Sequence, residues 1–377
     1  MNVPTDHEVF AVVTGGGTSG HVLPALAVAD ALVDIGREPS SIHYVGCERG
    51  IESRLLPDTP YPATFHDVVG VQRSLSRRNL GFLPKMWRAR RAEITRQRSA
   101  TPSVVVSVGG YASLPAVLAA RRLDVPVVVV SYDRRPGWAS RVAARWAAAC
   151  AVAFDGSDLP RAELTGAPVR RAVLDVDRSP VGRAAARSRL GIDQDRFLVV
   201  VMGGSLGSGL LNDAIADYCA DRADDAELAV RQVAGERFVD GIRPVEGAID
   251  HTVLGYEPDM ASVYAAADLL VGRGGASTVH EVAVTGVPAI LVPWAGASDD
   301  HQRDNVAWLS GDGAAVMLTE DRLAADPTRL ATEIERLRGD ADARSSLGLA
   351  ARENGEVHRS GALARLVERV ALASDGS

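Results

Sequence analysis

Apolar positions along the chain fall in short, unbroken β-branched runs, separated by longer stretches rich in Ala, Leu and Arg. The runs predict strands at FAVVT (10–14), IHYVG (42–46), VVVSVGG (104–110), VPVVVV (125–130) and ACAVAF (149–154). A second set follows at FLVVVMGG (197–204), ELAVRQVA (227–234), HTVLGY (251–256), LLVGRGG (269–275), AILVPW (289–294) and AAVML (314–318). Continuous apolar runs, rather than strict alternation, are what strands covered by helices on both faces require. Helical stretches such as 24–35 and 333–352 lie between them, so the fold class is α/β with parallel sheets and right-handed crossovers. The polar stretch 171–197 separates the two strand sets. The expectation is two Rossmann-like doubly wound domains facing across a cleft. They span 1–167 and 168–355, and a final helix, 356–377, packs back on the first.

Four glycine-rich turns follow strands. In TGGGTSGHVLPALAVADAL, Gly15, Gly17 and Gly20 match GxGxxG, and Pro24 marks a helix start. Glycine lets the backbone turn sharply and brings N–H groups close to a phosphate or sugar at a helix N-terminus. His21 stands at the mouth of this loop, either pointing to the crevice above the strand ends or serving as a cap. GGYASLP (109–115) is a second turn, readable as a plain βα connection or as part of a site. In MGGSLGSGLLNDAI, Ser205 beside Gly203, Gly204 and Gly207 is placed either to bind a phosphate oxygen or to cap a helix. In RGGASTVHEVAVTGVP, Ala276, Ser277 and Thr278 open a helix whose N-terminal partial charge suits a diphosphate. Glu281, three residues after Thr278, fits either a capping box or a hydrogen-bond acceptor for ribose hydroxyls.

Composition narrows the class. Of 377 residues, 46% are hydrophobic and 24% charged, which excludes a largely disordered chain. Cys47, Cys150 and Cys219 lie far apart with no CxxC, which argues against a disulfide scaffold or zinc ribbon and fits a reducing cytoplasm. The net charge of −7 argues against a general nucleic-acid binder, but it hides an asymmetry. Residues 1–165 carry 19 Lys+Arg against 15 Asp+Glu, and residues 166–377 carry 22 against 33. The acidic MNVPTDHEVF start is unlike a signal peptide. The uncharged run 99–120 is broken by Gly109, Gly110 and Pro115, so it reads as strand, turn and helix rather than a membrane span. DDHQ (299–302) has no second ligand cluster at metal spacing, so no metal site is expected.

Taken in order, these motifs resemble the MurG family of GT-B glycosyltransferases. The carrying segments are TGGGTSGHVLPALAVA (14–29), GCERGIESRLLP (46–57), SVGGYASLPAVLAA (107–120) and TGAPVR (165–170). GGSLGSGLLN (203–212), DMASVYAAADLLVGRGGASTVHEVAVTGVPAILVP (259–293) and DDHQRDN (299–305) complete the set, which covers roughly 9–320. The resemblance implies inverting transfer of N-acetylglucosamine from UDP-GlcNAc to the C4 hydroxyl of MurNAc in undecaprenyl-linked lipid I, forming lipid II for peptidoglycan. No cofactor is obligatory. On the donor side it implies Glu281 at the ribose, and Gly203, Gly204, Ser205, Arg170 and the helix start Ala276–Ser277–Thr278 at the diphosphate. Tyr256 would border the uracil, while Gln302 and Asn305, with Asp300 beside them, would meet the GlcNAc. Gly16, Gly17, Thr18, Ser19, Gly20, Tyr111 and Arg134 fall on the acceptor side, with His21 the candidate base. Two positions depart from the family: Ser19 replaces a glycine, and SYDRRPG (131–137) replaces His-Glu-Gln-Asn before the Pro-Gly turn, putting Arg134 where asparagine is usual.

The stretch 71–98 holds nine Lys+Arg and one acid, Glu93, interleaved with apolar residues. Leu80, Phe82, Leu83, Lys85, Trp87 and Arg88 suit the surface of an anionic bilayer, where a lipid acceptor must be reached. The expected location is therefore peripheral, on the cytoplasmic face of a bacterial membrane. Four rivals remain: a UDP-sugar transferase with another acceptor, a UDP-GlcNAc epimerase, an NAD(P)-dependent oxidoreductase using Glu48, and a non-catalytic relative that binds nucleotide-sugar or assembles with membrane partners.

Overall fold

The computed structural model describes residues 9–17, 19–70, 82–204, 207–297 and 300–375. The chain divides into two compact units, Met1–Arg171 with Ser360–Ser377, and Ala172–Arg359. Among the described residues, the first unit carries seven parallel strands: β1 (Ala11–Thr14), β2 (Ile42–Cys47), β3 (Ala63–His66), β4 (Val104–Ser107), β5 (Val127–Ser131), β6 (Ala149–Val152) and β7 (Ala162–Leu164). Their spatial order is β3-β2-β1-β4-β5-β6-β7, with Ala11 in register with both Ile42 and Val104. Helices α1 (Ser19–Asp34), α2 (Glu52–Leu55), α3 (Phe82–Ala100), α4 (Leu114–Arg122) and α5 (Trp138–Ala144) connect them. The uncharged run 99–120 is thus the end of α3, all of β4, a turn and most of α4.

After the short α6 (Arg171–Leu174) and α7 (Pro180–Leu190), the second unit carries β8 (Phe197–Met202), β9 (Leu228–Val233), β10 (Asp250–Leu254), β11 (Leu269–Arg273), β12 (Ala289–Val292) and β13 (Val316–Met317). All pair in parallel, in the order β10-β9-β8-β11-β12-β13. Its helices are α8 (Gly209–Ala220), α9 (Met260–Ala266), α10 (Ala276–Thr285), α11 (His301–Gly311), α12 (Glu320–Ala325), α13 (Arg329–Gly339) and α14 (Ala341–Arg359). The last helix, α15 (Ala362–Asp375), belongs to the first unit, where Glu368 meets Arg37 at 2.5 Å and Arg369 meets Glu163 at 2.5 Å. Both units are Rossmann-like, and their central strands are buried on both faces, as the continuous apolar runs required.

Three details differ from the sequence reading. Strands β3 and β7 lie at the sheet edges, half-buried and exposed, so ATFH and AEL carry no apolar run to reveal them. The helical stretch 333–352 is two helices, α13 and α14. Gly339 ends the first, and Asp340 accepts a hydrogen bond from Ala343 N at 2.8 Å to start the second. Pro24 does not begin α1 but lies inside it, because the helix starts at Ser19.

Helix α3 is held to the first unit by the one acid of its basic stretch. Glu93 is fully buried and accepts from His66 Nε2 (2.7 Å), Arg96 Nη2 (2.7 Å) and Gln97 Nε2 (3.1 Å). Burial pushes this carboxyl up, but the hydrogen bonds and the Arg96 charge outweigh it and hold the carboxyl at about 2. Its folded value thus lies below its unfolded one, so its contribution is full above the unfolded range near 4.5 and is lost as pH falls towards 2. Glu93→Gln is expected to destabilise the first unit by about 3 kcal/mol at pH 7. Calorimetric unfolding between pH 7 and 3 should show the gap to wild type narrowing with acid; a gap independent of pH would contradict this assignment.

Candidate active site

A doubly wound sheet has one place where its strand order reverses, and the crevice beyond the carboxyl ends of the two strands there is its natural binding position. In the first unit that place is between β1 and β4. The turns that leave it are Gly15–Gly17 and Val108–Gly110, two of the four glycine motifs. They touch: a Cβ on Gly110 would lie 2.5 Å from Gly16 O and 3.0 Å from His21 Cδ2. Gly110 also holds φ +77°, so glycine is required there on both counts. Gly17 faces the Tyr111 ring, whose Cε1 would lie 2.7 Å from an added Cβ, and Tyr111 Oη reaches Cys47 Sγ at 3.8 Å.

His21 is set by the proline three residues later. Inside a helix Pro24 has no N–H to give to the carbonyl four residues back, which is that of Gly20. Tyr132, at the end of β5, fills the gap by donating its Oη–H to Gly20 O. With that proton committed, the Tyr132 oxygen accepts from His21 Nδ1 at 2.7 Å. The geometry therefore assigns the Nδ1–H tautomer and leaves the lone pair on Nε2. Burial lowers the His21 pKa from its ordinary value, opposed by the charges of Asp133 and Glu52, which favours the neutral ring. A cavity of about 170 Å³ opens beside it, lined by Tyr132, Asp133, Trp138 and Ser140 among others. Arg134 does not line it; its Nη1 donates to Asp155 O at 2.8 Å and its guanidinium lies 5.7 Å from the Phe154 ring centroid. Gly20 lies in the first turn of α1; Thr18 and the Ser19 side chain are outside the described residues.

In the second unit the reversal lies between β8 and β11, and the turns that leave it are the other two glycine motifs. Gly203 and Gly204 follow β8, and Ser208 is the N-cap of α8, accepting from Leu211 N. Ser205 itself is outside the described residues. The N-cap of α10 is Gly275, with no side-chain cap, so Ala276, Ser277 and Thr278 form an open first turn. This corrects the capping-box alternative: Thr278 is within the helix, and Glu281 lies a turn beyond it. The Glu281 carboxylate is instead held by the hydroxyl of Tyr264 on α9, at 2.6 Å. Tyr264 was not singled out from sequence, because its helix reads as ordinary core.

Gly274 has no room for a side chain. A Cβ there would meet Val306 Cγ2 at 2.5 Å and Gln302 O at 2.9 Å, so the start of α11 packs on the turn after β11. Gln302 and Asn305 are thereby brought to the same reversal point as Glu281. Gln302 Oε1 accepts from Trp294 N at 2.9 Å, and Asn305 is fully buried. Asp300 precedes α11 in the left-handed conformation, φ +56°. Tyr256 is exposed, on a segment fixed by the buried Glu257, which pairs with Arg231 at 2.6 Å and accepts from Asp259 N. Arg170 belongs to the first unit.

On α3, Leu83 and Trp87 are exposed (73% and 57%) one turn apart, with Arg88 beside them and Arg91 5.5 Å from the Trp87 ring centroid. Phe82 is half-buried, and Lys85 is paired with Asp67 at 2.7 Å. Leu80 lies outside the described residues. Among those described, no helix is long and apolar enough to cross a membrane.

Residues 11–152 match the glycosyltransferase family 28 N-terminal domain, and residues 198–357 match the C-terminal domain of the same family. The UDP-N-acetylglucosamine--N-acetylmuramyl-(pentapeptide) pyrophosphoryl-undecaprenol N-acetylglucosamine transferase of Nitrosococcus oceani is 35% identical over 98% of this chain and 99% of its own. The enzyme of that name from Clavibacter sepedonicus is 38% identical over 84% of each chain. The crystal structure of Acinetobacter baumannii MurG superposes with a TM-score of 0.69 at 25% identity, covering 96% of this chain and 98% of that one. With both domains matched in order and full-length relatives above 30% identity, the chain belongs to glycosyltransferase family 28 and, within it, to the MurG family.

Proposed function

We propose that the chain transfers N-acetylglucosamine from UDP-GlcNAc to the MurNAc C4 hydroxyl of lipid I, with His21 as general base. Relatives named for this reaction, matched along most of the chain, support the activity over an epimerase or an NAD(P)-dependent oxidoreductase. The observation that carries the base is the hydrogen-bond series Gly20 O–Tyr132–His21, which turns the imidazole so that Nε2 keeps its lone pair. The acceptor hydroxyl attacks the anomeric carbon as Nε2 takes its proton, and the bond to UDP breaks with inversion. Gly16, Gly17, Thr18, Ser19, Gly20, Tyr111 and Arg134 belong to the acceptor side.

The donor is assigned to the second unit. Glu281, oriented by Tyr264, accepts from the ribose hydroxyls. The open first turn of α10 and the Gly203–Ser205 turn supply N–H groups and a positive dipole end to the departing diphosphate. Tyr256 is assigned to the uracil, and Gln302 and Asn305 to the sugar. Gln302 suits this role because its carbonyl oxygen is committed to Trp294 N, which leaves its NH₂ to donate. Leu83, Trp87 and Arg88 of α3 are assigned to the surface of an anionic membrane on the cytoplasmic side, where lipid I is met.

A transfer assay with UDP-GlcNAc and a lipid I analogue tests the reaction. His21→Ala is expected to lower kcat about 100-fold or more while the Kd for UDP-GlcNAc stays within about twofold; full turnover would remove His21 as base. Glu281→Ala should weaken UDP-GlcNAc binding about tenfold or more, as expected for loss of a charge-assisted hydrogen bond, and Tyr264→Phe, which leaves the carboxylate but frees its orientation, about fivefold. Calorimetric titration reads both, and an unchanged Kd in Glu281→Ala would return that carboxylate to a structural part. In sedimentation with anionic vesicles, Leu83→Ser/Trp87→Ser should reduce bound protein about tenfold or more. Equal binding by the double variant would rule out this face as the membrane contact.

A further inference from the structure

Outside the groups already assigned, the first unit holds one carboxylate whose placement its glycines explain. Glu52, on α2, is completely buried. Its Oε1 accepts from Gly17 N at 3.1 Å and from Cys47 N at 2.9 Å, tying the turn after β1 to the end of β2. Its Oε2 is buried with no hydrogen-bond partner. Three glycines surround it: a Cβ on Gly16 or Gly50 would overlap the carboxylate, and one on Gly46 would lie 2.9 Å from Glu52 Cγ. The glycine-rich run at 15–17 is therefore not only a turn requirement. It also leaves space for a negative charge beneath the loop that leads into His21.

Burying a carboxylate with an unsatisfied oxygen costs stability, more so than a neutral group of the same shape. Loop anchoring alone would be met by an amide, whose oxygen accepts the same two N–H bonds. What only a carboxylate adds is charge. The charges acting on His21 are Asp133, in the turn after β5, and Glu52, from α2, while Tyr132 holds its Nδ1. Around Glu52 stand the Tyr44 and Tyr111 hydroxyls and the Cys47 thiol, disfavoured from ionising first by burial and further by the Glu52 charge.

We infer that Glu52 is a positioning residue for transfer: it locks the Gly17 N–H of the acceptor-side turn and supplies a buried counter-charge for the His21 imidazolium formed when Nε2 takes the acceptor proton. The inference rests on His21 being the base. In the ground state the ring is neutral and the charge stabilises little. Once the proton has moved, the imidazolium sits in a low-dielectric pocket within the field of Asp133 and Glu52.

Glu52→Gln keeps the accepting oxygen and removes the charge. It is expected to lower kcat about tenfold, with KM for UDP-GlcNAc within about twofold, and to move the acidic limb of the kcat/KM profile to lower pH, because His21 loses a charge that raises its pKa. Glu52→Ala removes charge and anchor together and should lower kcat further, again without weakening the donor. Gly50→Ala provides a check if Glu52→Ala fails to fold. Gly50 is not in the left-handed region, and its new methyl would displace the carboxylate without deleting it, so it should give the same kcat loss. Glu52→Gln with unchanged kcat and an unmoved acidic limb would overturn the counter-charge, and full activity in Gly50→Ala would overturn the anchor. If His21→Ala itself turns over fully, the base assignment has failed instead, and that outcome is separately visible.

Discussion

An all-parallel sheet whose strand order reverses once leaves a crevice where two neighbouring strands send their connections to opposite faces. Each unit of this chain has one such reversal, at β1/β4 and at β8/β11. The four glycine motifs are the four turns that leave those strands. Each pair is far apart in sequence, about ninety residues in the first unit and seventy in the second, and becomes adjacent only because crossover helices return the chain beside its starting strand. Every other feature of the candidate site depends on this constraint.

Within the first crevice, chemistry follows from a missing hydrogen bond. Pro24 sits where a helix would ordinarily exclude it, and the carbonyl it leaves unserved is taken by a tyrosine that in turn fixes a histidine. Helix irregularity, tautomer and cavity are thus one arrangement. Glu52 completes it from below, with three glycines making its room. The second crevice uses a different device: a helix start without a side-chain cap leaves its N–H groups for a ligand, and a tyrosine from a neighbouring helix orients the carboxylate a turn further on. Two units of like topology therefore differ in the local chemistry at their reversal points.

The opposite charges of the two halves find partial explanation in these particulars. The excess of cations in the first half is concentrated at 71–98, and α3 is anchored by Glu93 so that Leu83 and Trp87 stand outward beside arginines. The acidic second half keeps an uncapped helix start at Gly275, a local positive end whose reach is short compared with the net charge of a domain.

Fold class, two strand sets and the glycine turns were legible in the residues themselves, because buried parallel strands demand unbroken apolar runs and tight turns demand glycine. Edge strands β3 and β7 were not, since a half-exposed strand needs no such run. Sequence identified Glu281 and His21 by type and place but left a cap as the alternative for each. The tertiary structure sets the cap aside for each, by putting Gly275 at the N-cap of α10 and His21 inside α1 against Tyr132. Tyr264, Tyr132 and Glu52 carried no signal in the sequence, because what they do depends on groups 17, 111 and 35 residues away. Local spacing determines which elements form and where they turn; which side chains then meet is decided by the strand order that folds those elements together.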